Sequence, residues 1–304
     1  MKNLYKKIND TWLRLRRWSE TSIFGYLLAG IFKIILIVIV LVGIYYVIST
    51  TGIFKDDSSS DPTVSDSSDT ANDNCTVRGI ELHGSMLTYI PKHSETDTYF
   101  NYDVVASQDV DWTIKQANDD ERIKAIVVEV DSPGGSPVAG SEIADAIKSS
   151  KKPVVAFIRE MGASSAYWAI SSASKIFASL NSNVGGIGVT SSYLSNVGKN
   201  TKDGYIYEQL SAGKFKDSGS TDKPLTAEEK VLFMRDINIV YENFIAVISQ
   251  NRKITTDKVR GYADGATVMG ATAKKMGLID EIGGLPEVEQ YLEKTMGEKP
   301  EICW

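Results

Sequence analysis

"IKAIVVEVDSPGGS", residues Ile123 to Ser136, is the stretch on which the fold turns. Ile123 to Val130 is short and rich in β-branched residues, with charge before it and Pro-Gly-Gly after it, and so predicts a buried strand ending in a sharp turn. Pro133 fixes one dihedral, while Gly134 and Gly135 open backbone conformations closed to other residues. Beyond the turn, Ser141 to Ser149 has helical character, and "PVVAFI", Pro153 to Ile158, predicts a second buried strand. Strand, helix and strand in so short a span make a βαβ unit with a right-handed crossover. The pattern then repeats: Ala163 to Ala173 predicts a helix packed closely through Ala and Ser, and "KIFAS", Lys175 to Ser179, a third strand. Thr226 to Gln250 is long and periodic, and it opens on a capping signature, Thr226 followed three residues later by Glu229. Ala271 to Gly284 reads as a short helix, a glycine stop, then a strand and turn. The class is α/β.

The whole chain frames this unit. At 304 residues with 42% hydrophobic and 24% charged, it has room for a sizeable core, and a net charge of -6 argues against a nucleic-acid partner. That average hides a basic N-terminal segment, residues 1–33, in which Lys2, Lys6, Lys7, Arg14, Arg16, Arg17 and Lys33 face only Asp10 and Glu20. From Ile34 to Phe54 there is no charged residue, a length that matches the ~20 residues a helix needs to cross a bilayer. A buried core helix is rarely apolar all round for so long, and no A-x-A-like cleavage site follows, so an uncleaved transmembrane helix is predicted. The positive-inside rule leaves 1–33 in the cytoplasm and exports the remainder. Trp12, Leu13 and Trp18 among the cations fit either an interfacial helix or a solvated basic tail. Residues 55–74, rich in Ser and Asp, read as a flexible tether to a domain at 75–304. Cys75 and Cys303 bracket that domain. A bridge between them, free thiols and packed hydrophobes are comparable readings.

Two further stretches bear on chemistry. In "MGASSAYW", Met161 to Trp168, small residues let a helix N-terminus approach the glycine turn, where exposed amides suit a developing oxyanion. Taken alone, a close-packed Ala/Ser helix whose serines back-bond to the main chain is the favoured reading of Ser164 and Ser165. A nucleophilic serine needs a base, and the only histidines, His83 and His93, both lie upstream of the first βαβ unit in what reads as an edge strand and loop. "SAGKFKDSGS", Ser211 to Ser220, offers lysine instead. A lysine serves as base where burial disfavours its ammonium form, and moving a lysine from ~10.4 toward ~7 to 8 takes about 4 kcal/mol of differential desolvation.

Together these residues resemble the Ser/Lys-type signal peptide peptidases, peptidase family S49, in the short bacterial form. The likeness runs from about Gly79 to Gly284 and rests on "VDSPGG", "MGASSAYW", "VGGIGV" at Val184 to Val189, "SAGKFKD" and "MGLIDEIGG", in that order. The resemblance implies a Clp/crotonase-like spiral of βαβ units behind one transmembrane helix. It implies Ser164 as nucleophile, Lys216 as general base and Gly135 as oxyanion donor, helped by Gly134. Gly185, Gly186, Ile187 and Gly188 fall on the segment that pairs with an extended peptide. It further implies a homo-oligomer with sites near subunit contacts, a peptide or protein substrate, a single-pass membrane anchor through one helix and no metal or other cofactor. The chain departs from the family's pattern twice. Ser165-Ala166 replaces Gly-Gly, which adds side chains that would narrow the pocket and leaves Ser165 as a rival hydroxyl. Gly186 stands where serine is common, which removes a hydroxyl that could polarise the lysine. Two other classes stay beside this reading: a Clp-type protease, whose catalytic histidine would follow the nucleophile, and a peptide-binding scaffold of the same fold without catalysis. A crotonase-type acyl-CoA enzyme shares the spiral, but an exported domain has little access to coenzyme A.

Overall fold

The computed structural model describes residues 31, 33–42, 75–90 and 103–304. The chain divides into two compact units, Met1–Asp69 and Thr70–Trp304. Of the first, residues 33–42 are helical and Ile34 to Val42 are exposed apolar side chains. Among the described residues no helix is long and apolar enough to cross a membrane. The rest of the predicted span, 43–54, lies outside the described residues, as do nearly all of the basic segment 1–33 and the linker 55–74.

In the second unit the order is β1 (Val77–Leu87), β2 (Val104–Ala106), α1 (Ser107–Asp119), β3 (Ala125–Gly135), α2 (Pro137–Ser149), β4 (Val154–Ala163), α3 (Ser165–Ile170), β5 (Lys175–Ala178) and β6 (Asn183–Gly185). It continues with α4 (Val197–Lys202), α5 (Ala227–Arg252), α6 (Thr256–Arg260), β7 (Thr267–Met269), α7 (Gly270–Met276), β8 (Glu281–Ile282), α8 (Leu285–Met296) and β9 (Ile302–Cys303). The sheet runs β2-β1-β3-β4-β5-β8 with every pairing along that path parallel, and only β6 with β7 is antiparallel. The α/β expectation is met. Ile126, Val128 and Val130 point into a core shared with α1, α2, α3 and α5, whereas Ala125 and Val127 point to the opposite face against Val288 and Leu292 of α8. Both faces are covered, so β3 reads as an unbroken apolar run rather than an alternating one.

Two predicted boundaries move, each for a long-range reason. Residues 131–135 are not a turn but the end of β3, where Ser85 pairs with Gly134 and Met86 with Gly135 after a register shift at His83/Ser85. Gly135 sits at φ 155°, and a Cβ there would lie 2.3 Å from the Met86 carbonyl oxygen, so only glycine allows this closeness. Strand β4 likewise runs to Ala163 because β6 pairs with its end, which shortens the predicted helix 163–173 to α3. His83 lies on β1, which stands between β2 and β3 in the sheet, and pairs there with Asp131 of β3. Helix α5 matches its prediction closely: Thr226 accepts from the Glu229 N–H, the Glu229 carboxylate accepts from the Thr226 N–H, and Lys253 closes the helix at φ 54°.

Of the three readings of the cysteines, the structure has the bridge: Cys75 and Cys303 are joined across a sequence separation of 228. Strand β9 pairs beside it on Val77 and Arg78, and the Thr76 and Val77 N–H groups donate to the Glu301 carbonyl at 3.1 and 3.0 Å. A crosslink closing so long a loop constrains the unfolded chain, and about 4 kcal/mol of stability is expected to be lost on reduction or in Cys303→Ser. Denaturant titration with and without reductant measures this. Two freely alkylated thiols in the native protein, with unchanged non-reducing mobility, would contradict it.

Candidate active site

Ser164 links the end of β4 to the start of α3 at φ 54°, ψ -130°, one of two described non-glycine residues with positive φ. Such a sharp strand-to-helix turn costs backbone energy of order 1–3 kcal/mol and persists only where neighbours fix it. Here the Ser164 N–H donates to the Gly185 carbonyl at 2.8 Å and its carbonyl accepts from the Trp168 N–H at 3.0 Å. Gly134, at φ 98°, lets β3 come close, since a Cβ there would lie 2.8 Å from the Ser164 Cβ. The outcome is a hydroxyl held at the wall of a cavity of about 710 Å³.

The two serines differ. Ser165 is buried, with its hydroxyl against the Met86 sulfur at 3.9 Å, while Ser164 is partly accessible. Ala166 is fully buried in the core and does not line the cavity, so of the two added side chains only Ser165 borders the pocket. Of the glycine pair, Gly135 lines the cavity, whereas the Gly134 N–H is committed to the Ser132 hydroxyl at 3.1 Å. Ser132 in turn donates to the Gly84 carbonyl at 2.6 Å, which ties this strand end to β1.

The segment predicted to pair with a peptide is only partly free to do so. Residues 183–185 sit between β4 and β7, the Gly186 N–H donates to the Ala266 carbonyl at 3.2 Å, and the Ile187 carbonyl accepts from the Gly265 N–H at 3.0 Å. Gly186 and Gly188 line the large cavity; Gly185 and Ile187 border a smaller one of about 150 Å³ behind it. Past this point, residues 188–195 leave the sheet with no main-chain hydrogen bond to the rest of the described chain. That is the stretch with unpaired amides and carbonyls beside Ser164.

The opposite wall escaped the sequence reading. Trp168 of α3 stacks on Phe244 of α5, ring centroids 4.9 Å apart, and Met234, Ile237 and Tyr241 extend the wall along α5. Their i, i+3, i+4 spacing was the available signal, but an apolar helix stripe facing a core and one facing a cavity look identical in sequence. Tyr241 donates to the Ala263 carbonyl at 2.7 Å and holds the rim loop that carries Asp264, the only carboxylate among the described lining residues.

Lys216 does not line the cavity of its own chain. It is exposed, on a run of turns at 213–220 within the excursion that joins β6 to α5. His83 is also elsewhere: its Nε2 lies 3.1 Å from Glu129 Oε1, which also accepts from Arg159 at 2.8 Å. His93 is outside the described residues. No histidine among the described residues lines the cavity, and no group of three or more His, Cys, Asp or Glu among them is arranged to hold a metal.

Against known families, residues 146–299 match the model of peptidase family S49, a region that includes Ser164, Lys216 and all of α5. The chain belongs to peptidase family S49. Residues 102–184 also match the Clp protease family, and this second match takes in Gly134 and Gly135 and overlaps the S49 match around Ser164. Among S49-like relatives, a Methanocaldococcus jannaschii protein is 34% identical over 186 residues, 60% of this chain and 60% of that one. Protease 4 of Haemophilus influenzae is 28% identical, covering 62% of this chain and 31% of that protein. The chloroplastic serine protease SPPA of Arabidopsis thaliana is 30% identical, covering 60% and 27%. The matched part of this S49 chain thus spans between about a quarter and three fifths of these relatives' lengths. Among solved structures, a ClpP1 mutant from Listeria monocytogenes is similar at TM-score 0.45 and 16% identity, covering 69% of this chain and 93% of that one.

Proposed function

We propose that this S49 chain is a serine endopeptidase with a Ser164/Lys216 dyad that cuts extended, largely apolar peptides outside the cytoplasm. Signal-peptide remnants are one such class. The observation that carries the reading is the strained turn at Ser164, which sets one hydroxyl against the cavity beside Gly135 while its neighbour Ser165 is buried. The apolar wall of Trp168, Phe244, Met234 and Ile237 suits apolar side chains, and the free main chain of 188–195 suits strand addition by the substrate.

In the proposed reaction, neutral Lys216 takes the Ser164 proton as the oxygen attacks the scissile carbonyl carbon, and the Gly135 N–H stabilises the oxyanion. Collapse of the intermediate breaks the C–N bond, with Lys216 returning the proton to the leaving amine. Water then attacks the ester by the same route, freeing the carboxylate product and Ser164. Because Lys216 is exposed and away from the cavity of its own chain, the base is assigned to a neighbouring copy in a homo-oligomer. The anchor is one transmembrane helix at Ile34–Phe54, with 1–33 in the cytoplasm and the domain outside. A non-catalytic peptide-binding scaffold is favoured by one feature, the same exposure of Lys216.

The deciding experiment is labelling of the full-length protein in detergent with a fluorophosphonate, followed by peptide mapping. Modification of Ser164, at a rate that falls in Lys216→Ala, is expected. An unmodified chain supports the scaffold, and modification at Ser165 removes the assignment of the nucleophile.

A further inference from the structure

The excursion from Val189 to Thr226 is poorly anchored by apolar contacts: Leu194, Ile206 and Leu210 are 81%, 94% and 88% exposed. What holds it is polar. Tyr193 donates to the carbonyls of Ser220 and Lys223, the Asn196 N–H donates to the Thr221 carbonyl at 2.7 Å, and Asn200 donates to Asp222 at 2.8 Å. At the centre is Lys223, whose side chain is 16% exposed and whose Nζ lies 2.7 Å from Glu229 Oε1 and 3.5 Å from Asp217 Oδ2. Tyr207 donates its hydroxyl to the same Asp217 oxygen. The second Glu229 oxygen accepts the Thr226 N–H at 2.9 Å, so one carboxylate both caps α5 and grips Lys223. The hydrogen bond from Lys223 holds the Glu229 carboxyl down at about 2 and in return raises the Lys223 ammonium, so both are charged at neutral pH.

Asp217 follows Lys216 directly in the run of turns, where the Lys216 N–H donates to the Gly213 carbonyl and the Ser218 N–H to the Phe215 carbonyl, each at 3.1 Å. One side chain of this adjacent pair is tied inward to Lys223 while the other is exposed. A short path therefore connects Lys216 through Asp217, Lys223 and Glu229 to α5, the helix whose Met234 and Ile237 wall the cavity. We infer that Lys223 is a positioning residue, a latch that fixes the turn carrying Lys216 on α5 of its own chain, the rigid base from which Lys216 reaches Ser164 of the neighbouring copy. The inference rests on the reading of Lys216 as general base, and it adds a residue that touches neither substrate nor Ser164.

Removing the Lys223 ammonium leaves two carboxylates, one of them only 5% exposed, without their shared countercharge. A base displaced by about 1 Å loses on the order of 10²-fold in rate. The test compares full-length wild type, Lys223→Met, Lys223→Arg, Asp217→Ala and Lys216→Ala in detergent, measuring kcat and KM on a fluorogenic apolar peptide beside the thermal unfolding midpoint. Lys223→Met is expected to lose about 10²-fold in kcat with KM little changed, and Lys223→Arg to recover most of it. An undiminished kcat in Lys223→Met, or a loss that Lys223→Arg does not relieve, overturns the latch. If Lys223→Met does not fold, Asp217→Ala carries the test, because it keeps the Lys223–Glu229 pair and removes the carboxylate that ties the Lys216 turn to Lys223 and to the Tyr207 hydroxyl; an unchanged kcat there overturns the proposal. Full activity in Lys216→Ala would remove the base reading and the latch together, whereas an inactive Lys216→Ala beside a fully active Lys223→Met removes the latch alone.

Discussion

Ser164→Ala is expected to lower peptide hydrolysis by about 10⁴- to 10⁶-fold while leaving the fold intact, the scale on which a covalent nucleophile's removal is felt. The substitution deletes only the hydroxyl. Its backbone remains at positive φ, and the bonds from its N–H to the Gly185 carbonyl and from the Trp168 N–H to its own carbonyl persist. Ser165→Ala makes the informative contrast: it loses a weak contact to the Met86 sulfur and is expected to keep most of the activity. Comparable losses in both, or a larger loss at Ser165, would move the nucleophile by one residue. Equal activity of Ser164→Ala and wild type would end the peptidase reading.

Lys216→Ala should lose activity on the same scale, since a serine without its base retains only what the oxyanion site and binding supply. The exposed setting of Lys216 makes the sharper experiment a mixture. Ser164→Ala and Lys216→Ala, each inactive alone, are expected to regain hydrolysis when co-assembled, because some interfaces then join an intact serine of one copy to an intact lysine of the next. Preparations that stay inactive when mixed, with exchange of subunits verified independently, would put both groups in one chain and require the turn at 213–220 to move.

Much of this architecture is legible from residues close in sequence. The apolar runs at Ile123–Val130 and Pro153–Ile158, the Thr226/Glu229 cap and the glycine stop at Gly277 each declare themselves locally, and each is found. What local reading misplaces is set by partners far along the chain. Residues 131–135 look like a turn because glycine and proline usually mark one; they extend the strand because Met86 presents its backbone to them. Ala163–Ala173 reads as one helix, yet pairing with β6 claims its first residue for the sheet and concentrates the bend at Ser164. The proposed dyad divides in the same way. Ser164 is recognisable from its small neighbours and from Gly134 and Gly135, whereas a lysine in a polar loop carries no local sign of which surface it approaches. The latch at Lys223 was invisible for a related reason: Lys, Asp and Glu spread over a dozen residues look like a solvated stretch until the chain folds them onto one another.

The bridge between Cys75 and Cys303 has a mechanical meaning. Tension reaching Cys75 from the N-terminal side would pass at once into Cys303, so it would load a covalent clip and the paired ends of β1 and β9 together instead of unzipping β1 one hydrogen bond at a time. A cut anywhere in the exposed excursion would likewise leave both fragments fastened to each other, and such a nicked molecule would migrate as two pieces only after its sulfurs were reduced.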